Sequence, residues 1–219
     1  MMRLIIFDLD GTLVDSSIDL TNALNYAIEP YDIERMTVQR TKSLVGEGIT
    51  RLIEKLLGQE MIAFRQSVMD RFMEYYSAHL VDFTRPYAGV PETLVVLQDY
   101  KKAVISNKRE ALTRRVLLEL GLLPYFDAVL GSDSVEEKKP SPKPLLAVMK
   151  LFSSPAGETV IVGDSNFDID AGKAAGISTI AVSYGFRDAG ILQQADHIIA
   201  RFPELPFVLE KLGEHGNNP

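Results

Sequence analysis

Four polar clusters in this sequence have side chains and spacings suited to chemistry. The first is Asp8-Leu9-Asp10-Gly11-Thr12. Residues two apart on an extended segment point the same way, so both carboxylates can face one crevice, and Gly11 permits a sharp turn after them. The second is Ser106-Asn107, a hydroxyl and main-chain amides at a helix start, which suit a phosphate oxygen. The third is Lys139, in a loop stiffened by Pro140 and Pro142; its ammonium is a compact charge for the same kind of anion. The fourth is Gly163-Asp164-Ser165-Asn166-Phe167-Asp168, directly after the apolar run Val160-Ile161-Val162. Each cluster has a plainer reading: an acidic turn, a helix cap, a solvated lysine, a second cap. The fourth resists it best, because acidic residues are depleted in strands and costly at a buried end unless paired or metal-bound.

The elements that must hold these clusters alternate along the chain. Leu4–Phe7, Ala103–Ile105, Ala128–Leu130, Val160–Val162 and Thr179–Val182 read as buried strands. Amphipathic stretches lie between them, among them 113–120, stopped by Gly121, and 168–175, stopped by Gly176. Phe202, Leu205, Val208, Leu209 and Leu212 fit a closing helix, and 216–219 a frayed tail. This pattern predicts an α/β fold, a doubly wound, Rossmann-like parallel sheet. All four clusters follow predicted strands, and in such sheets ligands bind at the carboxyl ends of the strands. The clusters therefore converge. Two like charges about 4 Å apart cost roughly 4 kcal/mol at an effective dielectric near 20. Gathering Asp8, Asp10, Asp164 and Asp168 thus calls for positive charge. An oxygen-only set without His or Cys indicates a hard cation, Mg²⁺, with Lys139 as a second positive group.

From 16 to 85 no strand is evident. Helical stripes run through Leu20, Leu24, Ala27 and Ile28, through Ile49, Leu52, Ile53, Leu56 and Leu57, and through Met61, Phe64, Val68, Phe72 and Tyr75. They predict a helical domain, 16–85, inserted into a core of 1–15 and 86–219. The remaining composition sets bounds. The 219 residues carry 23 basic and 30 acidic side chains, a net charge of −7, with 46% hydrophobic and 24% charged residues. That is the profile of a globular protein and argues against nucleic-acid binding. No apolar run reaches the roughly 18 residues of a membrane span, and Asp8 cuts the first run too short for a signal-peptide core. Without cysteine there is no disulfide or thiolate chemistry, and a cytoplasmic protein is expected. His79, at a helix end, His197, in a sixth strand region, and His215, in the tail, receive no role.

Together the four clusters resemble the motifs of the haloacid dehalogenase superfamily in its phosphatase branch. Asp8-Leu9-Asp10-Gly11-Thr12 is similar to the first, Ser106 to the second, Lys139 to the third, and Gly163-Asp164 with Asp168 to the fourth, in order and at similar separations. The insert resembles that superfamily's mobile cap. Leu44-Val45-Gly46-Glu47-Gly48 and Ser106-Asn107-Lys108 look most like bacterial phosphoglycolate phosphatases, although pyrophosphatases and other small-phosphate hydrolases have similar caps.

The resemblance implies a mechanism. Asp8 would attack phosphorus, forming an aspartyl-phosphate. Asp10 would protonate the leaving oxygen and then take a proton from water. Mg²⁺ would be held by Asp8, Asp164 and the main-chain carbonyl of Asp10, with Asp168 tuning it. Ser106, Asn107 and Lys139 would stabilise charge on the transferring group. A cap residue would read the substrate's carboxylate, and Lys42 and Arg51, flanking Gly46-Glu47-Gly48, are the candidates. The expected partner is a small phosphorylated metabolite, with no membrane or nucleic acid, and the expected state a monomer or homodimer. The alternatives are a pyrophosphatase or sugar phosphomutase of the same fold, and a phosphate-binding regulator without turnover.

Overall fold

The computed structural model describes residues 2–215. The first strand, β1 (Leu4–Phe7), is buried at every position, as a strand covered on both faces must be. It is followed by β2 (Val14–Asp15), the helices α1 (Ser17–Ile28), α2 (Val38–Leu44), α3 (Ile49–Leu57) and α4 (Arg65–Ala78), and then β3 (Arg85–Pro86). The alternation resumes with α5 (Val90–Val96), β4 (Lys101–Ile105), α6 (Glu110–Glu119), β5 (Ala128–Leu130), α7 (Lys143–Phe152), β6 (Thr159–Gly163), α8 (Asn166–Ala175), β7 (Ser178–Val182), α9 (Ala189–Leu192), β8 (His197–Ile199) and α10 (Leu205–His215).

Among the described residues, six strands form one parallel sheet in the order β5-β4-β1-β6-β7-β8. The chain leaves β1 toward β4 and β5, then returns to the other side of β1 through β6, β7 and β8. Strand order therefore reverses beside β1, where a crevice opens at the carboxyl ends. Side-chain alternation along β1 divides the core between the two sheet faces. Ile5 and Phe7 join Val104, Val116, Leu117, Phe202 and Leu209. Leu4 and Ile6 join Ala103, Ile105, Leu145, Val148 and Ile161. The sheet is thus doubly wound, an α/β core with helices on each face.

Between β2 and β3, α1 packs on α4, α2 on α1, and α3 on α4. On α3 the buried residues are Leu52, Ile53, Leu56 and Leu57, while Arg51 and Lys55 face out. That is the stripe an amphipathic helix must show. Asp19 of α1, 1% exposed, accepts hydrogen bonds from the main-chain N–H of Phe83 and from both N–H and hydroxyl of Thr84. A buried carboxylate thereby ties the end of this helical stretch to its start.

The structure differs from the sequence-based expectations in several places. Arg85 lies in a strand, because β2 and β3 pair antiparallel where the helices enter and leave; two residues per strand are too few to show a period. The helix expected over 113–120 begins earlier, at Glu110. Helices α2, α5, α7 and α9 are additional. The tail, 216–219, lies outside the described residues. No helix among those described is long and apolar enough to cross a membrane.

Candidate active site

Asp8 follows β1 directly, and its N–H still reaches Val162 O of β6, so its position is set by the sheet ladder. After it the chain turns at Gly11, whose φ is +94°. A Cβ there would lie 2.2 Å from Asp164 Oδ2. Glycine is required twice over, by the left-handed backbone and by the approach of a carboxylate. Asp164 Oδ2 also accepts from Phe186 N–H at 2.6 Å. Asp168 sits in the first turn of α8, where its Oδ2 accepts from Ser165 N–H and hydroxyl in a capping box.

Asp8, Asp164 and Asp168 each present a carboxylate oxygen within 4.8 Å of the others, and all three are buried. This set fits a hard divalent cation: it is all oxygen, and its charge is under-compensated. Burial pushes the Asp8 carboxyl up to about 7; Lys139 opposes that shift, while the like charges of Asp168 and Asp10 add to it. Asp164 is likewise held well above the ordinary carboxylate value, by burial first and then by Asp8 and Asp168.

Lys139, 2% exposed, donates to Asp8 Oδ1 at 2.7 Å, Asp168 Oδ1 at 2.6 Å and Ile105 O at 2.6 Å. Burial alone would lower its pKa, but Asp168 and Asp8 outweigh it and hold the ammonium above its usual value. Asp168 therefore has one oxygen on Lys139 and the other on Ser165. Asp10 is not part of the oxygen triad: its Oδ1 takes the Ser16 hydroxyl at 2.5 Å and Lys108 Nζ at 2.7 Å. Any share of Asp10 in holding a cation would fall to its main-chain carbonyl.

Asp8, Asp10, Ser106, Asn107, Lys139, Asp164 and Asp168 all border one cavity of about 70 Å³, room for a few waters or a small molecule. Three of the expected site side chains are engaged elsewhere in this structure. The Asn107 amide donates to Gly46 O at 2.7 Å and Lys139 O at 2.9 Å, which commits both its N–H groups and leaves its buried Oδ1 without a partner. An anion would meet the main-chain N–H there rather than the side-chain amide. Lys42 and Arg51 do not border the cavity. Lys42 pairs with Asp15 at 3.1 Å, and Arg51, exposed on the first turn of α3, pairs with Glu54 at 2.8 Å.

Sequence reasoning missed Lys108, which lies 2.7 Å from Asp10 and 2.8 Å from the hydroxyl of Tyr76 on α4. Its place directly after Ser106-Asn107 was the available signal. It also missed Arg187, whose guanidinium donates to the carbonyls of Lys42, Ser43 and Val45. No local pattern marks that contact, which joins residues more than 140 positions apart.

Residues 5–182 match the family described as haloacid dehalogenase-like hydrolase. Among curated proteins the chain is 38% identical over 187 residues to a phosphoglycolate phosphatase of Aquifex aeolicus, covering 84% of this chain and 86% of that one. It is 37% identical over 216 residues to a phosphoglycolate phosphatase of Neisseria meningitidis, covering 93% and 92%. Among solved structures, a protein of Haemophilus somnus described as a predicted phosphoglycolate phosphatase superposes with a TM-score of 0.87 at 29% identity, covering 94% of this chain and 97% of that one.

Proposed function

The chain belongs to the haloacid dehalogenase-like hydrolases, and from that premise we propose that it is a Mg²⁺-dependent phosphomonoesterase acting on a small metabolite, with 2-phosphoglycolate as the substrate. The observation that carries the reading is the buried meeting of Asp8, Asp164 and Asp168 with Lys139 beside Asp10. Relatives named phosphoglycolate phosphatase support the substrate.

Asp8 Oδ2, the oxygen not bonded to Lys139, attacks phosphorus and forms an aspartyl-phosphate. Asp10 donates a proton to the departing ester oxygen, then withdraws one from the water that hydrolyses the intermediate. The Ser106 hydroxyl and the Asn107 main-chain N–H hold the transferring oxygens, and the fixed positive charge of Lys139 beside them stabilises the charge they carry. Asp168 acts through Lys139, which it orients. Asp8, Asp164 and the Asp10 carbonyl would hold Mg²⁺, which when bound supplies the positive charge that lets a dianionic ester approach two carboxylates. Residues 16–85 act as a cap over this site, on a core of 1–15 and 86–219. The absence of cysteine fits a cytoplasmic setting.

The test is phosphate release from a panel of 2-phosphoglycolate, hexose phosphates and pyrophosphate, with Mg²⁺ and with chelator. Turnover with Mg²⁺, absent from Asp8→Asn, is expected. Isomerised hexose phosphate without free phosphate would favour a mutase, and tight binding with no turnover a regulator.

A further inference from the structure

In the reaction proposed above, the leaving oxygen must meet Asp10, so the groups around Asp10 are the ones that meet the leaving group. We propose that Lys108 is the specificity-determining cation of this site: with Tyr76, it anchors a carboxylate carried by the leaving group. This inference rests on the phosphatase reading and names the group that selects its substrate.

The argument begins with position. Lys108 Nζ is 2.7 Å from Asp10 Oδ1. In a phosphorylated 2-hydroxy acid the carboxylate carbon is two bonds from the ester oxygen. A substrate placing that oxygen on Asp10 therefore brings its carboxylate to the ammonium beside Asp10. Lys42 and Arg51 do not border the cavity at all.

Donor accounting separates Lys108 from the other cations that border the cavity. An ammonium has three donors. Lys139 has given its three to Asp8, Asp168 and Ile105 O. Arg187 is turned to the carbonyls of Lys42, Ser43 and Val45. Arg109 is exposed, just before the first turn of α6. Lys108 has given one donor to Asp10 and one to the Tyr76 oxygen, and keeps the third. Tyr76 accepts from Lys108 and keeps its own hydroxyl proton to donate. Two donors thus converge beside Asp10, the two ends a carboxylate fork needs.

Burial makes the pair effective. The Lys108 side chain is 8% exposed and lies 5.2 Å from the centre of the Tyr76 ring, which is itself 1% exposed. A charge shielded from water in this way discriminates strongly between an anionic and a neutral leaving group. Tyr76 is on α4 and Lys108 follows β4, so the anchor is complete only when the helical stretch is seated on the sheet.

The experiment compares 2-phosphoglycolate with ethyl phosphate, in which a methyl group stands in place of the carboxylate, under Mg²⁺. It uses wild type, Lys108→Met, Lys108→Arg, Tyr76→Phe and Arg109→Ala. Wild type is expected to prefer 2-phosphoglycolate. Lys108→Met should lower kcat/KM for it about 10- to 100-fold more than for ethyl phosphate, the usual range for a lost charged hydrogen bond. Lys108→Arg should recover part of the preference, and Tyr76→Phe should lose a smaller part. As a readout free of turnover, calorimetry should show that Lys108→Met loses affinity for 3-phosphonopropionate but not for propylphosphonate. Equal losses on both esters would mean that Lys108 only orients Asp10, and would overturn the proposal. So would a selective loss in Arg109→Ala instead, or a wild type that turns over both esters without preference; in that last case the phosphatase reading stands. A wild type that hydrolyses neither ester, nor any other in the panel, removes the phosphatase reading and this one with it.

Discussion

Lys139 Nζ lies 2.7 Å from Asp8 Oδ1 and 2.6 Å from Asp168 Oδ1, so one ammonium bridges two carboxylates, one directly after β1 and one in the first turn of α8. Lys139→Met removes the ammonium that bridges Asp8 and Asp168 and leaves their buried negative charge uncompensated. Breaking a buried pair from one side costs about 3–5 kcal/mol. The variant is expected to lose stability of that order in urea denaturation, and to lose at least about 100-fold in kcat/KM because the transferring oxygens lose their fixed charge. A variant as stable and as active as wild type contradicts this assignment.

The same crowding sets a pH dependence. Burial raises Asp8 to about 7 from an ordinary 3.8, and Asp164 is raised as well. A carboxyl with a raised folded-state pKa binds more protons folded than unfolded between the two values. Its contribution to stability is present at low pH and is lost as pH climbs from about 4 to about 7. Asp15 and Asp127 have the opposite sign: burial is outweighed by hydrogen bonds from Ser17 in one and mainly from Lys101 in the other. Their contribution is already complete above about 4. In chelator, Tm is therefore expected to fall between pH 5 and pH 7.5. Added Mg²⁺ should raise Tm more at pH 7.5, where it does not compete with protons. A Tm in chelator that rises through this window would count against the buried acidic cluster.

Asp8→Asn separates stability from activity. It removes one crowded carboxylate, while Lys139 keeps Asp168 as its partner. Turnover should fall by at least about 1,000-fold, as for loss of a nucleophile. Tm in chelator at pH 7.5 should stay level or rise. A large drop in Tm would show that Asp8 is chiefly structural.

The parts of this molecule that were legible in sequence share a short-range cause. β1 and β6 are apolar runs ended by acids, and α3 shows its buried stripe within nine residues. Asp8, Asp10, Ser106 and Asp164 closely follow strands, Lys139 sits in the loop after β5 and Asp168 in the first turn of α8, and the parallel topology turns all six toward one cavity. What stayed hidden depends on contacts between distant segments. Asn107 looks like an anion ligand until Gly46 O is placed against it. Lys42 and Arg51 flank the Gly46-Glu47-Gly48 turn, but their directions are set by Asp15 and Glu54. Lys108 gains its meaning only when α4 delivers Tyr76.

Asp19 offers a test of how the helical stretch is anchored. Its carboxylate accepts from Phe83 N–H, Thr84 N–H and the Thr84 hydroxyl, all at 3.1 Å or less. Asp19→Ala leaves these donors buried without a partner, at about 1–3 kcal/mol for each group left unsatisfied. A loss of at least about 2 kcal/mol in denaturant unfolding is expected, with a smaller loss in Asp19→Asn, whose amide oxygen can still accept. Amide exchange at 83–84 should quicken in both. A neutral Asp19→Ala would mean that other contacts hold the junction.

Arg187 supports the last prediction, about closure. Its guanidinium donates to the carbonyls of Lys42, Ser43 and Val45 at the end of α2. Those carbonyls lack helical partners, and the negative end of the helix favours a cation. Asn107 holds Gly46 O and Lys138 holds Glu47 O, so three side chains from the sheet side grip one loop entirely through its main chain. Such a clasp keeps the loop over the cavity whatever its side chains are. Arg187→Ala is expected to speed amide exchange across 43–48 at least about tenfold, the mark of a lowered local opening free energy, while α6 exchanges as in wild type. KM for the turned-over phosphate ester should rise. If loop opening limits product release, kcat should hold or increase. Unchanged exchange at 43–48 would show that Asn107 and Lys138 suffice, and that Arg187 is not part of the closure.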